Sequence, residues 1–562
     1  MDNIFFEISA IIIVSTALAL LARLIKQPTV LAFILTGILL GPLGLNWLQS
    51  KELMEVLASF GIAFVLYLIG IELDIRKFKA LNNVALFSGI GQVVFTGVIG
   101  FILAVALGFP ASQAWILSLA LTFSSTIIVV KLLGEARQLD SLYGRIAVAI
   151  LVLQDFFAVL ALLILESLGK TIDTTALPWV EIGLSFVKAS AIGLLAWLLA
   201  KYVFRRIFIF IGHSQELLFL WSIAWCFLFA LLAMALDFPV TIAVFLAGVA
   251  IAGLDYNYEI SARIRSLRDF FIVIFFAVLG SQLVLTLDAH TIWLGVLLAL
   301  FVLIGNPLIV YIILISGGHQ PRVALFVGLS IGQISEFSFI LANRGVVLGF
   351  LDQTVVSLIA FVGLVTMVGS TYFITYNEQI YRWLKPLLYH RWLQRKKYSQ
   401  QNVVAKDLTN HIVIFGYYSS LNKVLKELKE LNKEIVIIDY NPASIKHIAR
   451  QAVQHIYGDM RDEDILKQAQ LDQASLIISI VPYPEPTLSL LQYAKHFKLK
   501  ADIIVSARHL AEVEQFYKAG ATFVLHPDSI SLQYLKDILH KEELVKVSKL
   551  HKEELRQLRA II

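Results

Sequence analysis

"AILVLQDFFAVLALL", residues 149–163, sets one carboxylate, Asp155, with Gln154 beside it, in a run otherwise suited to the interior of a membrane. A charge at bilayer depth costs roughly 2.5–3.5 kcal/mol on insertion scales, so such a group normally lines a protein or water cavity and has a task there. The whole chain has the same character. Of its 562 residues 58% are hydrophobic and 15% charged, and the mean hydropathy of +0.78 is far too high for a soluble protein of this length. The charge is concentrated late: residues 377–562 hold 27 of the 46 Lys+Arg and 21 of the 41 Asp+Glu. The organisation expected is a transmembrane domain over 1–376, a basic linker over 377–408, a folded soluble domain over 409–540 and a helical tail over 541–562. Cys226, the single cysteine, lies in an apolar run, which excludes a disulfide framework and makes no case for a cysteine metal cluster. "MDNIFFEIS" is acidic rather than basic ahead of its apolar run, so the first segment is expected to be retained as a helix.

A helix needs about 20 apolar residues to cross the hydrocarbon core. Thirteen such runs are present, at 4–22, 28–46, 53–71, 84–107, 114–133, 143–168, 180–204, 216–236, 238–255, 269–287, 291–315, 322–343 and 351–376. With the N-terminus outside, fifteen Lys and Arg from Arg23 to Arg322 fall on the inner side, against Lys51, Lys170 and Arg344 outside. The positive-inside rule then places the C-terminal domain in the cytoplasm. Two runs make poor helices: "LTFSSTIIVV" (121–130) carries Thr122, Ser124, Ser125 and Thr126 at mid-depth, and "GLSIGQISEFSF" (328–339) carries two glycines and Glu336. They are spans five and twelve, which cross in opposite directions. That is the pattern of an inverted repeat whose broken helices meet at a transport site.

Asp155 lies about 18 Å into its span at 1.5 Å per residue, near mid-bilayer. A proton or a bare monovalent cation can neutralise it there, and competition between the two is sufficient for exchange if only the loaded carrier reorients. Glu336 reads equally as a structural hydrogen-bonding group or as part of the ion site. Glu72, in "LIGIELDIRK", reads as an interfacial ion pair with Arg76 and Lys77 or as part of a cytoplasmic entrance. Lys188, eight residues into span seven, reads as structural and snorkels to the interface; no other basic group is expected at the depth of Asp155.

The motifs "QPTVLAFILTGILLGPLGL", "LIGIELD", "ALTFSSTIIVV", "LVLQDFFAVL", "VFLAGVAIAG", "RDFFIVIFFAVLG" and "SIGQISEFSFILA", in this order over residues 5–376, resemble the second monovalent cation:proton antiporter family, closest to its Kef-type K+/H+ branch. The resemblance implies an elevator-type homodimer in which a core domain with crossed discontinuous helices moves against a dimerisation domain. It also implies that Asp155 binds ion and proton, with Gln154 beside it and with Thr122, Ser124, Ser125 and Thr126 adding ligands. Asn306 stands where many relatives carry a membrane lysine. With neither a lysine at 306 nor an acid at 154, only Asp155 is expected to change charge, and exchange is expected to be electroneutral.

Beyond the basic, aromatic "YRWLKPLLYHRWLQRKKYSQ" (381–400), suited to an anionic inner leaflet, residues 411–438 read strand, turn, helix, strand. Asp439 follows Gly416 at the distance at which an acid meets a ribose hydroxyl in a Rossmann unit. The order resembles the RCK or TrkA-N regulatory domains of potassium channels and transporters, which implies a dimer that gates transport through a bound nucleotide. The glycine fingerprint is degenerate, with Gly416 followed by Tyr418 and Leu421 instead of two further glycines. A tyrosine obstructs the approach of a pyrophosphate, so NAD(H) is disfavoured against a mononucleotide such as AMP held by Asp439, Asp459 and Arg508.

The reading is an inner-membrane antiporter, not an enzyme, exchanging K+ for H+ under a cytoplasmic regulatory domain, with neither a required cofactor nor a nucleic-acid partner. A Na+/H+ antiporter of the same fold is the alternative. A ligand-gated cation channel is a further rival, disfavoured by the lack of a TVGYG-like filter.

Overall fold

The structure is a computed structural model that describes residues 4–25, 27–72, 83–136, 138–139, 141–172, 178–204, 207, 214–254, 257–282, 289–388, 408–417, 421–439, 442–451, 453–481 and 484–532. The chain divides into two units, Met1–Leu388 and Tyr389–Ile562.

The regular secondary structure described in the first unit is all helix, and each of the thirteen apolar runs falls on a helix or a pair of half-helices. In order these are α1 Ile4–Leu24, α2 Thr29–Leu40, α3 Lys51–Glu72, α4 Asn83–Ala106, α5 Ala111–Thr122, α6 Thr126–Glu135, α7 Leu142–Ile172, α8 Pro178–Leu199, α9 Gln215–Ala235, α10 Val240–Ile251, α11 Asn257–Ser281, α12 Ala289–Leu300, α13 Asn306–Ser316, α14 Pro321–Ser330, α15 Glu336–Val347 and α16 Gln353–Thr375. Two boundaries differ from expectation. Helix α11 begins at Asn257, a full charged segment before the apolar run at 269, because "EISARIRSLRD" is helix-forming though polar. Residues 377–388 of the expected linker form a further helix, α17, and belong to the membrane unit, anchored by ion pairing of Arg322 with Glu378. The rest of the linker and the tail over 541–562 lie outside the described residues.

Both poor helices are broken where the sequence indicated. Between α5 and α6, Phe123 and Ser125 are extended. Between α14 and α15 the helix gives out at Ile331 and restarts after Ser335. Serine side chains compete with helical backbone bonds and are good N-caps. Ser125 Oγ accepts from Ile128 N at 3.3 Å, and Ser335 Oγ accepts from Phe337 N at 3.2 Å, so each restart is capped by the residue that broke the helix. A third irregularity is a π turn over Phe301–Gly305 ahead of Pro307, which has no N–H to continue the ladder.

Helices α2, α3, α10 and α11 pack together, with α1 and α9 beside them. Helices α4 to α7 and α12 to α16 form the other group, which contains both breaks. Lys188 Nζ reaches Leu236 O at 3.1 Å in an exposed position, the structural role expected of it.

The second unit is a six-stranded, all-parallel sheet in the order β3-β2-β1-β4-β5-β6. The strands are β1 His411–Phe415, β2 Ile435–Asp439, β3 Gln454–Tyr457, β4 Ala474–Ser479, β5 Asp502–Ser506 and β6 Phe523–Leu525, joined by helices α18 Leu421–Glu430, α19 Pro442–Ala449, α20 Glu463–Gln468, α21 Pro484–His496 and α22 Leu510–Ala519. This is the doubly wound Rossmann order, with its switch point between β1 and β4.

Candidate ion site at the crossing of the broken helices

A helix that stops inside a membrane leaves carbonyls that no water can satisfy. At the end of α5 the last three find donors from other helices. Ser338 Oγ donates to Ala120 O (2.5 Å), Asn306 Nδ2 to Leu121 O (3.0 Å) and Gln92 Nε2 to Thr122 O (3.1 Å). The first free amide of the break, Ser124 N, donates to Gln154 Oε1 at 2.9 Å, and Gln154 Nε2 donates to Gln92 Oε1 at 2.6 Å. Across the crossing, Ser124 Oγ donates to Ile331 O at 2.8 Å and Gln333 Nε2 to Ser125 O at 3.3 Å. Gln333 is held in turn by Ser370.

Asp155 stands beside this network, on α7, and is 7% exposed. Thr126 Oγ1 donates to its Oδ2 at 2.9 Å. Glu336 opens α15, with one oxygen accepting from Ser125 Oγ (3.1 Å) and the other from Ser335 Oγ (3.4 Å), so it ties the two breaks together. Both carboxylates face a crevice of about 80 Å³, room for several waters or a partly hydrated cation. One wall is Thr126, Ile127, Val152, Asp155, Ser335, Glu336 and Phe337, all from the group with the broken helices. The opposite wall is Val65, Ile69 and Glu72 of α3 and Arg268 of α11.

The sequence-level residues thus divide. Asp155, Thr126, Glu336 and Glu72 meet at the crevice. Gln154, expected as an ion ligand, instead has both ends of its amide engaged with Ser124 and Gln92 and does not line the crevice. Thr122 donates to Ser118 O in its own helix at 2.8 Å, and Ser124 is committed to Ile331, so neither hydroxyl faces Asp155. The Asn306 side chain donates to a backbone carbonyl, Leu121 O, and does not line the crevice. Glu72 pairs with Arg265 at 2.8 Å, while Arg76 and Lys77 lie outside the described residues. Two residues escaped the sequence reading. Gln92 was passed over in "GIGQVVFTG", although an amide in an apolar run is the same signal that singled out Asp155. Arg268, one of the fifteen basic residues on the inner side, is carried into the crevice by α11, so a basic group does line the site of Asp155, contrary to expectation.

The amide pair yields a prediction. Gln154→Leu leaves Ser124 N and Gln92 Oε1 without partners, at about 1–3 kcal/mol for each buried group. The purified variant is expected to melt several degrees below the parent in detergent; an unchanged melting temperature would contradict the role.

In the second unit, Gly416 ends β1 at φ +88°, a conformation that favours glycine. The Tyr417 amide donates to Asp439 Oδ2 at 2.7 Å, which folds the turn against the acid at the end of β2. Burial, reinforced by Asp439, pushes the Tyr457 hydroxyl up from its ordinary range, so this neighbour is a neutral phenol. The structure thus brings Gly416 and Asp439 together at the ends of β1 and β2. Asp459 is engaged elsewhere: both its oxygens are taken by Arg461, at 3.0 and 2.6 Å. Arg508 has an exposed side chain, and its amide is capped by Glu512. Tyr418 lies outside the described residues.

Two groups of helices, one broken twice at a carboxylate that faces the other group across a crevice, define a multi-pass secondary cation/proton antiporter rather than an enzyme. Comparison with known proteins agrees. Residues 10–377 match the family described as sodium/hydrogen exchanger, transmembrane, and residues 412–527 match the TrkA-N domain. The chain belongs to the sodium/hydrogen exchanger family, as a Kef-type antiporter with a C-terminal TrkA-N domain. It is 27% identical to a protein assigned as the K(+) efflux antiporter KefB in Alkalimonas amylolytica, over 90% of this chain and 76% of that one. It is 24% identical to the glutathione-regulated potassium-efflux system protein KefC of Klebsiella pneumoniae, over 88% and 78%. The sodium proton antiporter MjNhaP1 of Methanocaldococcus jannaschii shares the membrane fold, with a TM-score of 0.54 at 17% identity over 69% of this chain and all of that one.

Proposed function

We propose that the protein exchanges K+ for H+, one for one, across the cell inner membrane, with the two ions competing for Asp155. The observation that carries the reading is the setting of that carboxylate: buried in α7, engaged by the Thr126 hydroxyl, and facing the crevice between the two helix groups. Sliding of the broken-helix group against the other would carry the acid from one side to the other only when a proton or cation neutralises it, since an uncompensated charge is costly to move through the low-dielectric interface. K+ is favoured over Na+ by the potassium-efflux names of the relatives that span most of this chain. Electroneutrality follows from Asn306 being neutral and from Glu336 keeping one charge state while both its oxygens hold the breaks together. Working as a homodimer, with the N-terminus outside and the second unit in the cytoplasm, the protein would be regulated by a mononucleotide at Gly416 and Asp439.

Purified protein in liposomes, given K+, Na+ or Li+ gradients over a pH series, tests this. Proton flux is expected with K+, at a rate indifferent to an imposed membrane potential and altered by AMP more than by NAD(H). A rate that scales with potential would overturn the one-for-one stoichiometry; flux with Na+ but not K+ would overturn the choice of ion.

A further inference from the structure

The wall facing Asp155 carries a cation that the exchange scheme does not use. Arg268 lines the crevice from α11 with a side chain only 13% exposed. The crevice's other wall charge, Glu72, is already paired with Arg265. Arg268 is held instead by its neighbour in sequence: Nε and one terminal nitrogen donate to Asp269 Oδ1 at 3.0 and 2.7 Å. Asp269 is 59% exposed, so solvent screens that partner more than it screens the guanidinium inside the crevice. Among the elements packed against α7, Arg344 is paired with Glu166 at 2.5 Å, Lys131 and Glu135 lie towards the far end of α6, Arg322 pairs with Glu378, and on α8 Glu181 lies in the first turn while Lys188 reaches Leu236 O. The charged groups that line the crevice with Asp155 are Glu72, Arg268 and Glu336.

We infer that Arg268 is a positioning residue of the static wall that sets the affinity of Asp155 for both of its ligands and does so on one side of the membrane only. The inference rests on the reading of Asp155 as the exchange site. A fixed positive charge disfavours any cation arriving at the carboxylate, proton and metal ion alike, and favours the empty, ionised acid. It thereby helps K+ and H+ leave at the side where the crevice is open. Because Arg268 belongs to α11 and Asp155 to the broken-helix group, movement of one group past the other separates the two charges, and the far side is not subject to the same weakening. At the effective dielectric of such sites, unit charges about 10 Å apart interact by an amount corresponding to about a tenfold change in affinity.

The sign makes the test specific. In liposomes of full-length protein sorted by orientation, Arg268→Gln is expected to move the alkaline limb of the pH profile up by about one unit and to lower the KM for K+ at high pH by about tenfold, on the crevice-open side alone. Arg268→Lys should restore the parent's profile. Asp269→Asn, which removes the screening partner, should move both quantities the opposite way and serves if the glutamine variant folds poorly. A variant that lowers the maximal rate while leaving pH profile and KM in place, or that shifts both sides equally, overturns the inference. Persistent flux in Asp155→Asn, measured alongside, would overturn the reading of the site and this inference with it; loss of flux there together with an unshifted Arg268→Gln would overturn this inference alone.

Discussion

Asp155→Asn is expected to reduce K+-driven proton flux to that of protein-free liposomes while leaving the protein folded. The amide has the shape of the acid and can still meet the Thr126 hydroxyl, which now lies 2.9 Å from Oδ2. What disappears is the charge. An amide cannot take up a proton in the working range and offers a bare cation only a dipole, so neither ligand can load the carrier. Stability should move the other way from activity. A buried ionisable group costs free energy that packing elsewhere offsets, so the asparagine protein is expected to melt at or above the temperature of the parent. The pair of measurements separates chemistry from folding: flux near the parent level would remove Asp155 from the mechanism, whereas lost flux with a collapsed melting transition would say nothing for it.

The second large effect is expected in the wall opposite Asp155. At the crossing of α2 and α11, a Cβ on Gly37 would sit 1.9 Å from Ala277 O, and one on Gly280 would sit 2.2 Å from Ile34 O. At the crossing of α3 and α10 the same holds for Gly70 against Phe245 O (2.3 Å) and Gly248 against Tyr67 O (2.2 Å). The obstructing atoms are backbone, so no rotamer change can make room and the helices themselves must part. In a membrane, where lipid is as apolar as the side chains, close backbone approach through small residues is what holds helices together. Overpacking typically costs about 1–3 kcal/mol and more when backbone must move. Gly37→Leu and Gly248→Leu are therefore expected to give little monodisperse protein on size exclusion, while Gly183→Leu on α8, with nothing within 4 Å of its would-be Cβ, should purify like the parent. Equal yields from all three would refute rigid glycine-mediated packing of this wall.

These glycines bear on mechanism, since α3 and α11 carry Glu72 and Arg268. A group locked by backbone contacts at two crossings presents those charges at fixed positions. The opposite group is held at its breaks by side-chain hydrogen bonds, donated by Gln92, Asn306 and Ser338 and accepted by Gln154, which constrain the crossing without filling it.

Much of this could be read from the chain. Hydropathy is a local property, so the apolar runs, the single acid within 149–163 and the strand–helix alternation after residue 409 follow from composition and period. The breaks were legible for a related reason: Ser and Thr compete with the helical ladder wherever they cluster, and Ser125 and Ser335 do so visibly in "FSSTI" and "GQISE". The Rossmann-like character of the second unit was legible in its strand–helix alternation, and the sheet is of that kind.

The facing of individual side chains was not legible. Gln154 sits next to Asp155 in the chain, yet on a helix adjacent residues point about 100° apart, so the acid meets the crevice while the amide meets the break. Which helix would supply the donors for Ala120, Leu121 and Thr122, and that α11 would bring Arg268 to the crevice lined by Asp155, depend on crossing angles and on backbone contacts between segments distant in sequence. The chain by itself determined that Asp155 and two interrupted spans, one of them carrying Glu336, lie in apolar runs suited to a membrane, because burial and helix propensity are set residue by residue. Only the tertiary structure decided what surrounds that acid, because the rotation of each helix is fixed by how closely its neighbours can approach.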